Sequence, residues 1–173
     1  MVKAKPIDEA TAQSLRDNLR YDPDTGEFWW IKGGGPNRKL DRPVGANLSR
    51  DSKNYHRVYI NGERYKLHRL AFLFMGEDIP EEVDHINNCI HDNRWANLRA
   101  CSREQNMRNY KKPKNNKSGV KGVHWDSRSS KYYCQIGLHG KRKFLGYFSD
   151  IEHARQAYRE AADKYHGEFK NYG

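Results

Sequence analysis

The stretch KYYCQIGLHGKRKFLGYF, from Lys131 to Phe148, leaves the chain little conformational choice. Tyr132, Cys134, Ile136 and Leu138 fall on one side of an extended backbone, and Lys131, Tyr133, Gln135 and Gly137 on the other. Alternation of this kind marks a strand with one face buried. His139-Gly140 supplies a tight turn, so KRKFLGYF returns as the next strand, and GVHWD upstream reads as a third. Downstream, Ile151, Ala154, Tyr158, Ala161 and Tyr165 recur at helical spacing until Gly167. Ser149-x-x-Glu152 has the form of a capping box that would open this helix. The expectation is a three-stranded antiparallel sheet packed on one helix. On the same alternation Cys134, Ile136, Leu145 and Tyr147 face the helix, while Tyr133, Gln135, Arg142 and Phe144 face outward.

The preceding residues divide into two further blocks. The first, roughly Met1 to Met75, opens with a weak helical pattern in which Leu15 and Leu19 share a face. YDPDTGEFWWI then reads as a turn feeding an aromatic strand. A loose stretch from Lys32 to about Lys53 follows, with Gly33-Gly34-Gly35-Pro36 as its clearest breaker. HRVYINGERYKL holds Asn61-Gly62 between two strand-like runs, a strong hairpin signal. HRLAFLFM, from His68 to Met75, is apolar on nearly all sides and reads as a buried helix. In the second block Glu82 to His85 and Asn97 to Ala100 are short strands joined by a polar loop. Ser102-x-x-Gln105 is a capping box, which places Asn106 in the second turn of a helix. NYKKPKNNKSG then has the composition of a linker.

Charge is segregated along the chain. Met1 to Val83 carry 14 basic and 13 acidic residues, whereas Asp84 to Gly173 carry 18 and 9. Between Arg94 and Lys143 there are 14 basic residues, with only Glu104 and Asp126 as acids. A polyanion is the natural partner of such a stripe. Membrane binding has no apolar run of spanning length to support it, and no signal-peptide stretch opens the chain, so a cytoplasmic protein is expected. Cys89, Cys101 and Cys134 form no C-x-x-C pair, which argues against a zinc site and a disulfide framework. They read as reduced, buried or half-buried fillers. His91 reads as loop surface and His68 as a core histidine or a support for a site.

The residues VDHINNCIHDNRWANLRACSREQN pose the chemical question. Cleaving a phosphodiester needs an activator for the nucleophile and a cation to offset charge on the phosphate and leaving oxygen. A hard ion such as Mg²⁺ takes oxygen ligands and keeps several waters, so one carboxylate and one amide oxygen are enough protein ligation. Asp84 offers the carboxylate and Asn106 the amide oxygen. His85 can take a proton from water. Asn97 cannot transfer protons, but it can hold a loop and orient the imidazole. The bland reading is a polar loop.

Asp84-His85, Asn97-Leu98-Arg99 and Asn106, at these intervals, resemble the HNH nuclease motif in the His-Asn-Asn form of phage homing-type endonucleases. HRLAFLFMGEDIPEEVDH resembles the segment that leads into it. The resemblance implies a ββα-metal fold with His85 as general base, Asp84 and Asn106 as metal ligands and Asn97 as the structural asparagine. An amide in place of a final histidine favours Mg²⁺ or Mn²⁺, with no zinc expected. Arg94, Arg99, Arg103 and Arg108 are then expected to contact the DNA backbone.

The residues from Gly119 to Tyr172 resemble an AP2 DNA-binding domain through Gly122-Val123, Leu145-Gly146-x-Phe148 and the Ala154 to Ala162 series. In that family the sheet enters the major groove. The resemblance implies DNA contacts from Lys121, His124 and Arg142 and a contacting face that holds Gln135. Tyr133 and Phe144, facing outward beside basic residues, are expected to touch the nucleic acid, and Lys143 to add salt-sensitive attraction to phosphate. Gln135 and Gly137 depart from the family's usual glutamate and arginine, so its familiar target sequence does not carry over.

The combined expectation is an α+β chain in three parts: a nuclease domain at residues 1–108 with its core at 68–108, a basic linker at 109–118 and an AP2-like domain at 119–173. It would be a metal-dependent endonuclease acting on double-stranded DNA as a monomer, with a dimer as the variant able to cut both strands. The competing reading is a DNA-binding regulator with a degenerate nuclease domain. An RNA-binding factor would share the charge pattern.

Overall fold

The computed structural model describes residues 7–33, 38–45 and 55–173, so Gly34-Gly35-Pro36 and the first six residues lie outside the described residues. The described residues form a mixed α+β structure with four α-helices and several small antiparallel sheets. It divides into two compact units, Met1–Cys101 and Ser102–Gly173.

In the first unit α1 (Glu9–Asn18) starts at Asp8, whose carboxylate accepts from the amide of Thr11 at 2.7 Å. Leu15 and Leu19 are fully buried, as their spacing predicts. β1 (Leu19–Asp22) and β2 (Glu27–Trp30) form a hairpin whose turn is held by Asp22, which accepts from the amides of Asp24 and Thr25. Tyr21 stacks on Phe28 at 4.6 Å and Phe74 meets Phe28 edge-on at 5.5 Å, so aromatic rings supply much of a core built from few apolar residues. β3 (Arg57–Ile60) and β4 (Glu63–Lys66) pair across Asn61 and Gly62, both at positive φ, as a two-residue hairpin requires.

α2 (Leu67–Phe74) follows β4 directly and buries Leu67, His68, Leu70, Ala71 and Phe72. β5 (Glu82–His85) then pairs with β6 (Leu98–Cys101), setting Asp84 opposite Arg99 and His85 opposite Leu98. The second strand begins one residue later than expected, because Asn97 closes a single 3-10 turn, Trp95–Asn97.

The second unit begins with the capping box. Ser102 accepts from the amide of Gln105, and the Gln105 side chain accepts from the amide of Ser102, opening α3 (Arg103–Asn109). Asn106 occupies its second turn. The sequence reading groups α3 with residues 1–108; in the structure it is tied to the C-terminal residues. Glu104 accepts from the amide of His139 at 2.7 Å, and Asn171 donates to the side chain of Asn109 at 3.3 Å.

β7 (Val123–Asp126), β8 (Lys131–Leu138) and β9 (Lys141–Phe148) form the expected three-stranded sheet, covered by α4 (Ile151–His166). Val123, Cys134, Ile136, Ala154, Tyr158, Ala161 and Ala162 make the core. Two details differ from expectation. The helix is capped by Asp150, not Ser149: its carboxylate accepts from the amides of Glu152 and His153. Tyr147 faces outward, not toward the helix. Cys134 pairs with Gly146 and Gln135 with Phe144, which leaves Leu145 as an extra residue in β9. A bulge of this kind shifts the alternation by one, so Tyr147 turns out and Phe148 turns in.

Candidate functional site

Asp84 and His85 are the last residues of β5, and both are buried. Successive strand residues point to opposite faces, so the two side chains have different partners. Asp84 faces its cross-strand neighbour: Arg99 donates to Asp84 Oδ2 through Nε at 2.8 Å and Nη2 at 2.7 Å. Both members are largely removed from solvent, with 14% and 5% of their side-chain surfaces exposed, so the pair is an interior feature and not a surface contact.

The imidazole of His85 lies among polar and aromatic groups. Its Nε2 is 3.2 Å from Oδ1 of Asn93. Tyr55 stacks on it at 6.0 Å and His68 meets it edge-on at 5.2 Å. Burial pushes the pKa of His85 down from the usual histidine range, while Asn93 and the charge of Asp84 work in the opposite direction. His68 is pushed down to about 2, first by burial and then by the neighbouring His85, Lys66 and Arg69. Its ring is therefore neutral.

This neutrality has a consequence for stability. A histidine whose folded value lies below its unfolded one keeps its full contribution above about 6.5, and loses it as the pH falls toward the folded value. His68 alone should remove about 1.4 kcal/mol per pH unit below that point. His85 acts in the same direction. Urea unfolding between pH 7 and 4 should show this slope in the wild-type chain and a shallower one in His68→Phe. Parallel profiles for the two proteins would contradict it.

Asn97 is hydrogen-bonded within the loop that follows β5. Its side-chain oxygen accepts from the amide of Asn87 at 3.0 Å, and its amide donates to the carbonyl of Asp92 at 2.7 Å. Its own carbonyl accepts from the amide of Ile86. The asparagine thus cross-braces the loop between β5 and β6, and the hydrogen-bond acceptor beside the imidazole is a different residue, Asn93. Asn97→Ala removes two buried or half-buried bonds and should cost about 2 kcal/mol. Faster hydrogen exchange at the Asn87 amide, with a lower urea midpoint, is the expected reading.

The arginines differ in their surroundings. Arg94 folds back on Asp92 through Nε at 2.8 Å and Nη2 at 2.6 Å, and this pairing holds the Asp92 carboxyl at about 2. Arg99 holds Asp84. Arg103 is exposed at the start of α3. Arg108 binds Glu104 one turn away at 2.7 Å. Lys121 donates to the carbonyls of Arg108 and Tyr110, satisfying the end of α3, and burial pushes its pKa down to about 8.

On the sheet, His124, Tyr133, Phe144 and Tyr147 form one connected aromatic group, with ring separations from 5.2 to 6.3 Å. Phe144 and Tyr147 are more than half exposed. Gln135 pairs with Phe144 and shares its face, and Arg142 lies opposite Gly137. Lys143 pairs with the buried Ile136 and donates to the hydroxyl of Tyr165 on α4 at 2.7 Å.

Among the described residues, no group of three or more His, Cys, Asp and Glu side chains is placed to hold a metal ion. A carboxylate with an amide oxygen is a different donor set, hard and suited to Mg²⁺ or Mn²⁺. Burial raises the Cys101 thiol to about 12, which keeps it protonated beside Asp84. Cys89, expected to be at least half-buried, is exposed in the loop. Sequence reasoning missed Asn93, Tyr55 and Tyr147 as members of these groups. Only a turn closing eight residues after His85 reveals the first, and only the bulge reveals the last.

These observations define an α+β protein with a buried Asp-His pair at a strand end and an exposed aromatic sheet. Residues 65–108, from the end of β4 through α3, match the family model of an HNH endonuclease. The match supports a nuclease-type function, with DNA as the substrate such a domain implies. No curated protein and no solved structure matches the chain. No helix among the described residues is long and apolar enough to cross a membrane.

Proposed function

We propose that the protein is a metal-dependent DNA endonuclease of the homing-type HNH class that holds its duplex through the C-terminal, AP2-like sheet. The observation that carries the reading is the coincidence of the family match with a buried Asp84-His85 pair whose imidazole is held by a neutral acceptor. His85 acts as general base: with Nε2 donating to Asn93, Nδ1 is the nitrogen able to take a proton from water. Asn97 keeps the loop that carries Asn93 in shape. Asp84 is the carboxylate we assign to a hard divalent ion, and Asn106 supplies an amide oxygen of the same chemical kind. Such an ion, when bound, neutralises charge on the phosphate and the departing oxygen. The products would carry 5′-phosphate and 3′-hydroxyl ends, and one site per chain nicks one strand.

Tyr133, Gln135, Arg142 and Phe144, with His124 and Tyr147, form the face we assign to the duplex. The basic stretch around Lys111, Lys112, Lys114 and Lys117 adds salt-sensitive attraction to phosphate. One observation favours the second reading, a DNA-binding regulator without catalysis. Arg99 already neutralises Asp84, and a cation must share or displace that partner.

Incubating supercoiled plasmid with the purified chain decides between them. Relaxation that needs Mg²⁺ and stops with EDTA supports the endonuclease. A mobility shift of duplex DNA without cleavage in Mg²⁺ or Mn²⁺ supports the regulator and ends the catalytic assignment. Preferential binding of structured RNA over duplex DNA at matched salt would end both.

A further inference from the structure

We propose that Asn93 is a positioning residue, which fixes the tautomer and orientation of the His85 ring, and that the β1–β2 hairpin exists in part to hold Asn93 there. The inference rests on the reading of His85 as general base and extends it to a residue outside the family motif's four positions. An amide oxygen only accepts hydrogen bonds. With Oδ1 of Asn93 3.2 Å from Nε2, that nitrogen must carry the proton, and the lone pair falls to Nδ1. Both side chains are buried, at 4% and 3% exposure, so water does not compete for the bond. Tyr55 and His68 flank the ring and restrict its rotation.

Asn93 is itself held from outside its own loop. Its carbonyl accepts from the Tyr21 hydroxyl at 2.7 Å, across 72 residues of sequence. The amide of Trp95 donates to the carbonyl of Pro23 at 2.9 Å. Gly26 makes room between them. A Cβ there would stand 2.3 Å from the Arg94 nitrogen and 2.4 Å from the Asn93 carbonyl carbon, closer than any real contact. The β1–β2 hairpin, through Tyr21 on β1 and Pro23 and Gly26 in its turn, thus grips residues 93–95 at three points. The N-terminal hairpin therefore buttresses the base.

The tautomer can be read directly by ¹⁵N–¹H correlation of the His-labelled full chain above neutral pH. Wild-type His85 should be protonated at Nε2. Asn93→Leu, which lacks an acceptor, should move His85 to a tautomer mixture and lower plasmid cleavage by about 10-fold or more, within the range of a general base's contribution. Asn93→Asp restores an acceptor and should recover the Nε2–H signature and most of the lost rate. A merely structural residue would not show that rescue together with the spectral change. Should Asn93→Leu fail to fold, Tyr21→Phe carries the test and should give a smaller change of the same sign. Protonation at Nδ1 in the wild type, or an unchanged His85 spectrum in folded Asn93→Leu, overturns the proposal. Wild-type cleavage by a His85 variant would instead overturn the general-base reading, whatever the tautomer spectra show.

Discussion

With glutamine in place of His85, Mg²⁺-dependent relaxation of plasmid should fall by about 10²- to 10⁴-fold, while affinity for duplex DNA stays within a few-fold of wild type. That loss corresponds to about 3–5 kcal/mol of barrier, the contribution of a positioned proton acceptor. Glutamine is the more informative replacement than alanine. His85 is buried against Tyr55 and His68, so truncation also opens a cavity and lowers stability. Glutamine keeps much of the volume and a hydrogen-bonding group, yet cannot take up a proton at neutral pH. Both variants should be inactive, and the thermal midpoint of His85→Gln should stay closer to wild type than that of His85→Ala. A folded His85→Gln chain that cleaves normally would move the base to another group.

The second large effect concerns stability. Gly122→Ala should destabilise the C-terminal unit by about 3 kcal/mol or more, from two costs of different origin. Gly122 sits at φ +73°, where a side chain costs about 1–2 kcal/mol. Its Cβ would also lie 2.4 Å from the carbonyl oxygen of Gln135 and 2.4 Å from the Tyr158 ring. Neither neighbour gives way easily. Gln135 and Gly122 are joined by a backbone hydrogen bond of 2.9 Å, and Tyr158 is part of the buried core. Forcing an atom into such a place costs about 1–3 kcal/mol by overpacking alone. Gly140→Ala has no steric neighbour within 4 Å and shares the positive φ, so it isolates the backbone part. Circular dichroism in urea should rank the two variants, with Gly122→Ala clearly the lower. Equal midpoints would mean that the Tyr158 ring relaxes freely, contrary to the packing described.

Local pattern made much of the architecture legible. Asn61-Gly62 between strand-like runs, the capping box at Ser102 and the alternation from Lys131 to Leu138 each depend on neighbours a few residues apart. Their structures follow the reading closely. The exceptions are instructive. Ser149 and Asp150 are both able caps, and the choice between them rests on where the chain leaves β9. The outward turn of Tyr147 depends on Leu145 being an extra residue opposite Cys134 and Gln135, a fact of pairing between strands. Arg94, Arg99, Arg103 and Arg108 are grouped by residue order, which does not say what each side chain holds. In the structure Arg99 holds Asp84, Arg94 holds Asp92 and Arg108 holds Glu104, because each finds a carboxylate at close range.

By itself the sequence determined the elements, the segregation of positive charge and the spacing of Asp84, His85, Asn97 and Asn106, all of which are properties of residue order and short-range sterics. Only the tertiary structure decided what surrounds each of these groups. Asn93 meets His85 because the β1–β2 hairpin, some seventy residues earlier, grips residues 93–95. Hydrogen bonds and burial act over a few ångströms of space whatever the separation along the chain, so no local pattern records them.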